Sequence, residues 1–359
     1  MARYKEFENA FSPLHASPDT LMEVQKKMQN EKKTRRPVAK GLAAVLAAVL
    51  TLSVAFGAAK LLSAKLSPTE GAKGDMVAAF GAGDISTQKA VVLDNANEPI
   101  DIPDMVRENT DAPTVQRLVG DYLYDVEGTL TAGGYTLKLS SFLMDEQGMG
   151  IVTCTLENPD GVSYEECGYG EVDLPVSISL WQSPGRSGYM DANIYLNRTE
   201  STDKCLQLAV YFGTFRTYEK GSPIYMEMSE SGKDSTCGQM EIQPKAYLPA
   251  AVFSAEGHSL RVSALGITVD NPVPVEFTED EIIIRYADGS DYAVTSKARN
   301  QYNRLVCYLQ SEGETYTANC SVFNRLVDIE AIASVSMEGH YYASMTDDTP
   351  STVALEYTR

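Results

Sequence analysis

Tryptophan occurs once, at Trp181, and histidine three times, at His15, His258 and His340. With so few histidines and no CxxC or HxxxH spacing there is no ligand set for zinc, and no metal site is expected. Neither His258 nor His340 has a GxSxG elbow to serve, and no phosphate loop stands up, so nucleophilic and phosphoryl-transfer chemistry lack a carrier. The acidic neighbours Glu165-Glu166 and Glu279-Asp280-Glu281 lie in polar stretches that read as solvated turns rather than acid–base pairs. No catalytic residue and no cofactor is expected, and the chain reads as something other than an enzyme. Basic residues are also scarce, 30 Lys and Arg against 49 Asp and Glu for a net charge of −19. That balance excludes nucleic-acid binding by simple charge attraction.

The charge that is present divides along the chain. Residues 1–40 hold nine Lys and Arg against five Asp and Glu, a balance of +4, and the remainder carries −23. Residues 41–59 contain no charge and as a helix would reach about 28 Å, close to the roughly 30 Å hydrocarbon thickness of a bilayer. The expectation is one transmembrane helix over residues 38–60. The competing reading is a cleaved signal peptide, against which stands a preceding segment of forty residues with its own helical pattern. Lys26, Lys27, Lys32, Lys33, Arg35, Arg36 and Lys40 crowd the N-terminal flank. By the positive-inside tendency this gives a cell-membrane, single-pass topology with the N-terminus cytoplasmic and the C-terminal region extracellular.

Residues 1–37 read as a short helical docking segment. Tyr4, Phe7 and Phe11 recur at helical spacing; after Ser17 as N-cap and Pro18 at the first helical position, Leu21, Val24 and Met28 share a second face. Helices this short are marginal alone, so the stripes need either a protein groove or the membrane surface, and the pattern favours neither. Residues 61–120 read as a connector rich in Pro and Asp.

From about Tyr122 the period changes to two. Tyr135, Leu137 and Leu139, then Ile178 and Leu180, then Leu206, Leu208 and Val210 mark short antiparallel strands, separated by Gly133-Gly134, Asp160-Gly161, Pro184-Gly185 and Asp288-Gly289 turns. No crossover helix lies between them, so the fold class expected is mainly β: two antiparallel sandwich or immunoglobulin-like domains, residues 121–247 and 248–359, beside the one transmembrane helix and the helical cytoplasmic segment. Tyrosine is plentiful, and alternating Tyr in strands reads as packing more readily than as a sugar-stacking face.

All six cysteines, Cys154, Cys167, Cys205, Cys237, Cys307 and Cys320, fall beyond residue 60. An even number in an exported region suggests disulfides. Cys154 with Cys167 and Cys307 with Cys320 could each close a hairpin and leave Cys205 for Cys237, although spacing alone does not choose among the fifteen pairings.

The stretches FSPLHASPDTLMEVQKKM and RRPVAK, the Ala-rich run, GYTLKLSSFLMDEQGMGIVTCTLENPDG and FNRLVDIEAIASVSMEG together resemble Gram-positive membrane-anchored anti-sigma factor-like proteins with all-β ectodomains. The resemblance implies a cytosolic sigma factor as partner, held through Phe7, Phe11, Leu14, Leu21, Val24 and Met28 and released by an outer event. It also implies an extracellular ligand of unknown identity. The zinc-binding type of that family is excluded, since His15 has no cysteine near it. The rival expectation is a surface-anchored, adhesin-like ligand-binding protein whose inner tail only sets topology.

Overall fold

Alternation of apolar and polar residues builds strands here because each strand has one face to bury. In Val176–Ser183, Val176, Ile178 and Leu180 are buried while Ser177 and Trp181 turn to the other side. The computed structural model describes residues 61–71, 73–82, 92–93, 99–100, 110–167, 171–184, 186–214, 218–231, 236–271, 277–312, 315–341 and 351–359. Within them, residues 61–358 supply two large, barrel-like sheets of eleven and ten strands.

The first sheet closes through one stretch of chain. Leu61–Ser63 pairs in parallel with Thr236–Ile242, and Lys65–Pro68 pairs antiparallel with Tyr124–Glu127, so the two ends of the strand order are halves of residues 61–68. Ala64 is the switch point, its N–H donating to the Glu241 carbonyl at 2.8 Å. The second sheet repeats the device. Gln301–Tyr302 pairs with Asp291–Ser296, Arg304–Glu312 pairs with Thr315–Phe323, and Asn303 stands between them. Closure removes the exposed backbone edges an open sheet would present.

Each sheet encloses its own core, with Phe142, Leu180, Phe212 and Met226 in the first and Phe253, Ile284, Val335 and Tyr357 in the second. A third cluster joins Tyr195 and Tyr211 of the first sheet to Leu265 and Val322 of the second, and takes in Met76 and Phe80 from residues 74–82 and Val119 from the helix Ala112–Val119. Asp75 pins the 74–82 segment to the first sheet by accepting the hydroxyls of Thr153, Ser140 and Ser141 at 2.6, 2.7 and 3.0 Å. Burial pulls its pKa upward, but these hydrogen bonds outweigh burial and leave it below the ordinary carboxylate value.

Three expectations are corrected. The fold class is not a pair of immunoglobulin-like sandwiches: the sheets curl into barrels because one stretch of chain bonds both edges of each. The expected transmembrane helix and the cell-membrane localisation are corrected as well. The α-helices among the described residues are Gly74–Val77 and Ala112–Val119, four and eight residues long, and none is long and apolar enough to cross a membrane. The stretch expected to span, 38–60, and the docking segment, 1–37, lie outside the described residues. Third, the expectation of disulfides fails among the described residues, where Cys154, Cys167, Cys205 and Cys320 stand as thiols. Cys154 sits mid-strand between Leu139 and Leu208, buried in the core, rather than at a hairpin mouth facing Cys167. Cys307 and Cys320 do lie on paired strands, but Cys307 is opposite Ser321 and Cys320 opposite Tyr308, one position out of register.

Candidate recognition surface

The strand Val176–Ser183 turns at residues 184–186 into the long strand Ser187–Thr202, and the register sets Trp181 against Tyr189. On its other side Val176–Ser183 pairs with Ile224–Glu230, which sets Trp181 against Tyr225, and Tyr225 is in turn opposite Glu241. Leu180, Met190 and Met226, one position along each strand, fill the first core, so the row Tyr189, Trp181, Tyr225, Glu241 lies on the opposite face. Three steps between neighbouring strands give the row a length of about 14 Å. Trp181 and Tyr189 meet edge to face, their ring centroids 5.2 Å apart at 66°. Exposure falls along the row, with Tyr189 at 38%, Trp181 half-buried and Tyr225 at 6%. The Trp181 indole N–H meets no acceptor among the described residues.

Carboxylates flank both ends. Tyr225 is raised above the ordinary phenol value by burial and then by Glu241, which is also its hydrogen-bond partner. At the other end Tyr189 is raised by burial and then by the charge of Asp191, two positions along the same strand. Asp191 is itself raised by burial. Glu171, bridged through its backbone to Tyr195, is pushed up to about 7 by burial, then by Asp173 and by Asp191. Perturbed carboxylates cluster at functional sites, which makes this aromatic row a candidate binding surface.

A cation lies within this frame. Arg186, at φ +65°, holds a backbone conformation that L residues seldom adopt and sends its guanidinium to Glu227. Nε donates to the two carboxylate oxygens at 3.1 and 3.2 Å, and Nη2 donates to Oε1 as well. Glu227 is 5% exposed and lies two positions from Tyr225, on the same face.

Elsewhere, a cleft of about 540 Å³ lies between Ala112–Val119 and the loops around 286–290 and 325–331. Its arginines are engaged internally: Arg117 pairs with Asp328 at 2.6 Å, while Arg325 donates to the Tyr286 hydroxyl at 3.2 Å and lies 4.3 Å from the Tyr292 ring centroid. Among the described residues no group of His, Cys, Asp and Glu could hold a metal ion.

The sequence-expected partner residues Phe7, Phe11, Leu14, Leu21, Val24 and Met28 lie outside the described residues. Of the cysteines, Cys154 is buried and its thiol is pushed up to about 12, by burial first and then by Asp75. Cys167 is raised to about 11, by burial and then by its hydrogen bond to Asp173 and the charges of Asp173 and Glu171, and Cys205 is raised by burial and then by Glu157. All three are poor nucleophiles. Cys237 and Cys307 fall on Thr236–Ile242 and Arg304–Glu312, their side chains outside the described residues. Glu166 of the acidic pair bonds Arg198 at 2.7 Å, and Glu281 accepts from Ser296 at 2.6 Å. Sequence reasoning missed Asp191, Glu171, Arg186 and Glu227. The placing of Trp181 and Tyr189 four residues either side of Gly185 signalled that a tight hairpin would bring them together. No protein-family model matches the chain, and no curated protein matches it.

Proposed function

We propose that the chain is a recognition protein rather than a catalyst, and that residues 59–359 present its ligand-binding surface at the Tyr189–Trp181–Tyr225 row. The observation that carries this reading is the row itself, three aromatic rings in cross-strand register on the face turned away from the core, with carboxylates at both ends. Aromatic rings supply large contact area at low entropic cost, and charged flanks orient what lies on them. Among the described residues the thiols and carboxylates supply no nucleophile paired to a base, which favours binding over turnover.

Trp181 is the only tryptophan, so its emission reports on this surface without labelling. Titrating the full chain with a basic tetrapeptide and, separately, with a neutral hexasaccharide gives a saturable emission change with at least one of them. Tyr189→Ala weakens it about three- to tenfold, the loss of roughly 1 kcal/mol expected from one stacking ring. Absence of any saturable change with either ligand overturns the reading.

For the N-terminal segment the proposal follows the resemblance: Phe7, Phe11, Leu14, Leu21, Val24 and Met28 contact a sigma factor, making the chain a regulator. Its support is the helical spacing of those apolar residues. Co-purification of the full chain with a sigma factor, lost in Leu21→Asp/Val24→Asp, is the expected result; equal recovery with the double variant contradicts it.

A further inference from the structure

The row contains a feature that says what kind of ligand it takes. Glu227 is a carboxylate on the sheet face opposite the core, almost fully buried, one diagonal step from Trp181. A charge so placed is costly unless paired, and among the described residues it is paired by the Arg186 guanidinium, which arrives from a turn rather than from a neighbouring strand. That arginine is half-exposed, with 43% of its side chain accessible, while its partner has 6%. The turn that carries it adopts φ +65° at a non-glycine residue, a sparsely populated conformation that is held at a cost in free energy. The deep half of the pair is therefore fixed in the sheet and the shallow half is on a strained, exposed turn.

Building on the recognition reading above, we infer that Glu227, beside Trp181 and Tyr225, is a cation seat that Arg186 fills in the free protein, and that an arginine or lysine side chain of an extended basic peptide takes it over on binding. Charge complementarity supports this occupant. Asp191 and Glu171 border one end of the row, Glu241 the other, and the chain beyond residue 40 carries −23. The length of about 14 Å accommodates four residues of an extended peptide at about 3.4 Å each. Aromatic faces beside the seat suit a guanidinium or alkylammonium group, which gains from the ring quadrupole as well as from the carboxylate. Arg186 is then an internal competitor: if it holds the seat nine-tenths of the time, the apparent affinity for peptide is reduced about tenfold.

The test is the affinity of tetra-arginine for the full chain, read by Trp181 emission in wild type, Arg186→Ala, Arg186→Gln and Glu227→Gln, with a neutral hexasaccharide as the parallel ligand. Removing the competitor is expected to tighten tetra-arginine binding about threefold to tenfold in both Arg186 variants. Glu227→Gln is expected to weaken it at least tenfold, and higher salt weakens it in all forms. Unchanged or weaker peptide binding without Arg186 overturns the inference, as does unchanged affinity in Glu227→Gln. Should Arg186→Ala fail to fold, Arg186→Gln and Glu227→Gln keep the comparison. Saturable binding of the hexasaccharide without the peptide overturns the cation seat while leaving the recognition reading standing; binding of neither overturns both.

Discussion

Asp145 holds the two sheets together through its carboxylate. Its Oδ1 accepts from the N–H groups of Gln147 and Met149, both at 2.9 Å, and its Oδ2 accepts from the Ser263 hydroxyl of the second sheet at 2.6 Å. Complete burial pushes its pKa up to about 6 against hydrogen bonds that pull the other way. The folded state therefore binds the proton more tightly than the unfolded chain, whose value stays at the ordinary 3.8. Between about pH 4 and pH 6 the wild type loses stability as pH rises, and above pH 6 this contribution is flat. Asp145→Asn removes that slope, so the stability difference between variant and wild type, measured by urea unfolding from pH 4 to pH 7, changes across the window and then levels. A constant difference contradicts the assignment. Nearby, Gly148 at φ +90° turns the same loop, and a Cβ there would come 2.7 Å from Thr214 and 2.8 Å from Tyr218. At the row, burial and then the charges of Asp173 and Asp191 push the Glu171 carboxyl up to about 7, and its backbone bridges to Tyr195. Tetra-arginine binding is therefore expected to be stronger at pH 8 than at pH 6, and Glu171→Gln to abolish the difference; an equal pH response in the variant contradicts this.

At the scale of elements, closure depends on two single residues. Ala64 donates the hydrogen bond at which residues 61–68 cross from one edge of the first sheet to the other, so Ala64→Pro removes a donor that nothing replaces. A loss of about 2–3 kcal/mol in urea unfolding is expected, with faster amide exchange along Thr236–Ile242; unchanged exchange there would show that the barrel closes by other means. In the second sheet Asn303 donates to the Ala293 carbonyl at 2.7 Å and accepts from Asn324 at 3.1 Å, and the Tyr292 hydroxyl bonds both the Asn303 carbonyl and Asn324. Asn303→Ala strands buried partners and is expected to cost about 2–4 kcal/mol. The strands and many turns were legible in the sequence. Gly133-Gly134 at φ +55° and +86°, Gly161 at +112° and Gly289 at +89° occupy conformations that glycine accepts without cost. Closure was not legible, because it depends on pairing across more than 170 residues, as Leu62 with Met240, and the connector pattern of residues 61–68 carries no sign of it. The row was half legible. Trp181 and Tyr189 are symmetric about their turn, whereas Tyr225 and Glu227 reach Trp181 only because Ile224–Glu230 skips two strands to pair with Val176–Ser183.

At the scale of the whole molecule, an acidic chain carries two barrel-like sheets in which one stretch of chain bonds both ends of the strand order, so the recognition proposed above falls to side-chain surfaces. Two candidate surfaces lie among the described residues: the aromatic row with its Arg186–Glu227 pair, and the cleft between Ala112–Val119 and the 286–290 and 325–331 loops. The account places the ligand at the first. The most direct measurement is a backbone amide chemical-shift map of the full chain with and without tetra-arginine. The account predicts perturbations centred on Trp181, Arg186, Tyr189, Tyr225 and Glu227, and little change at Arg117, Tyr286 and Arg325. Perturbations centred on the cleft instead, with the row unmoved, would contradict it.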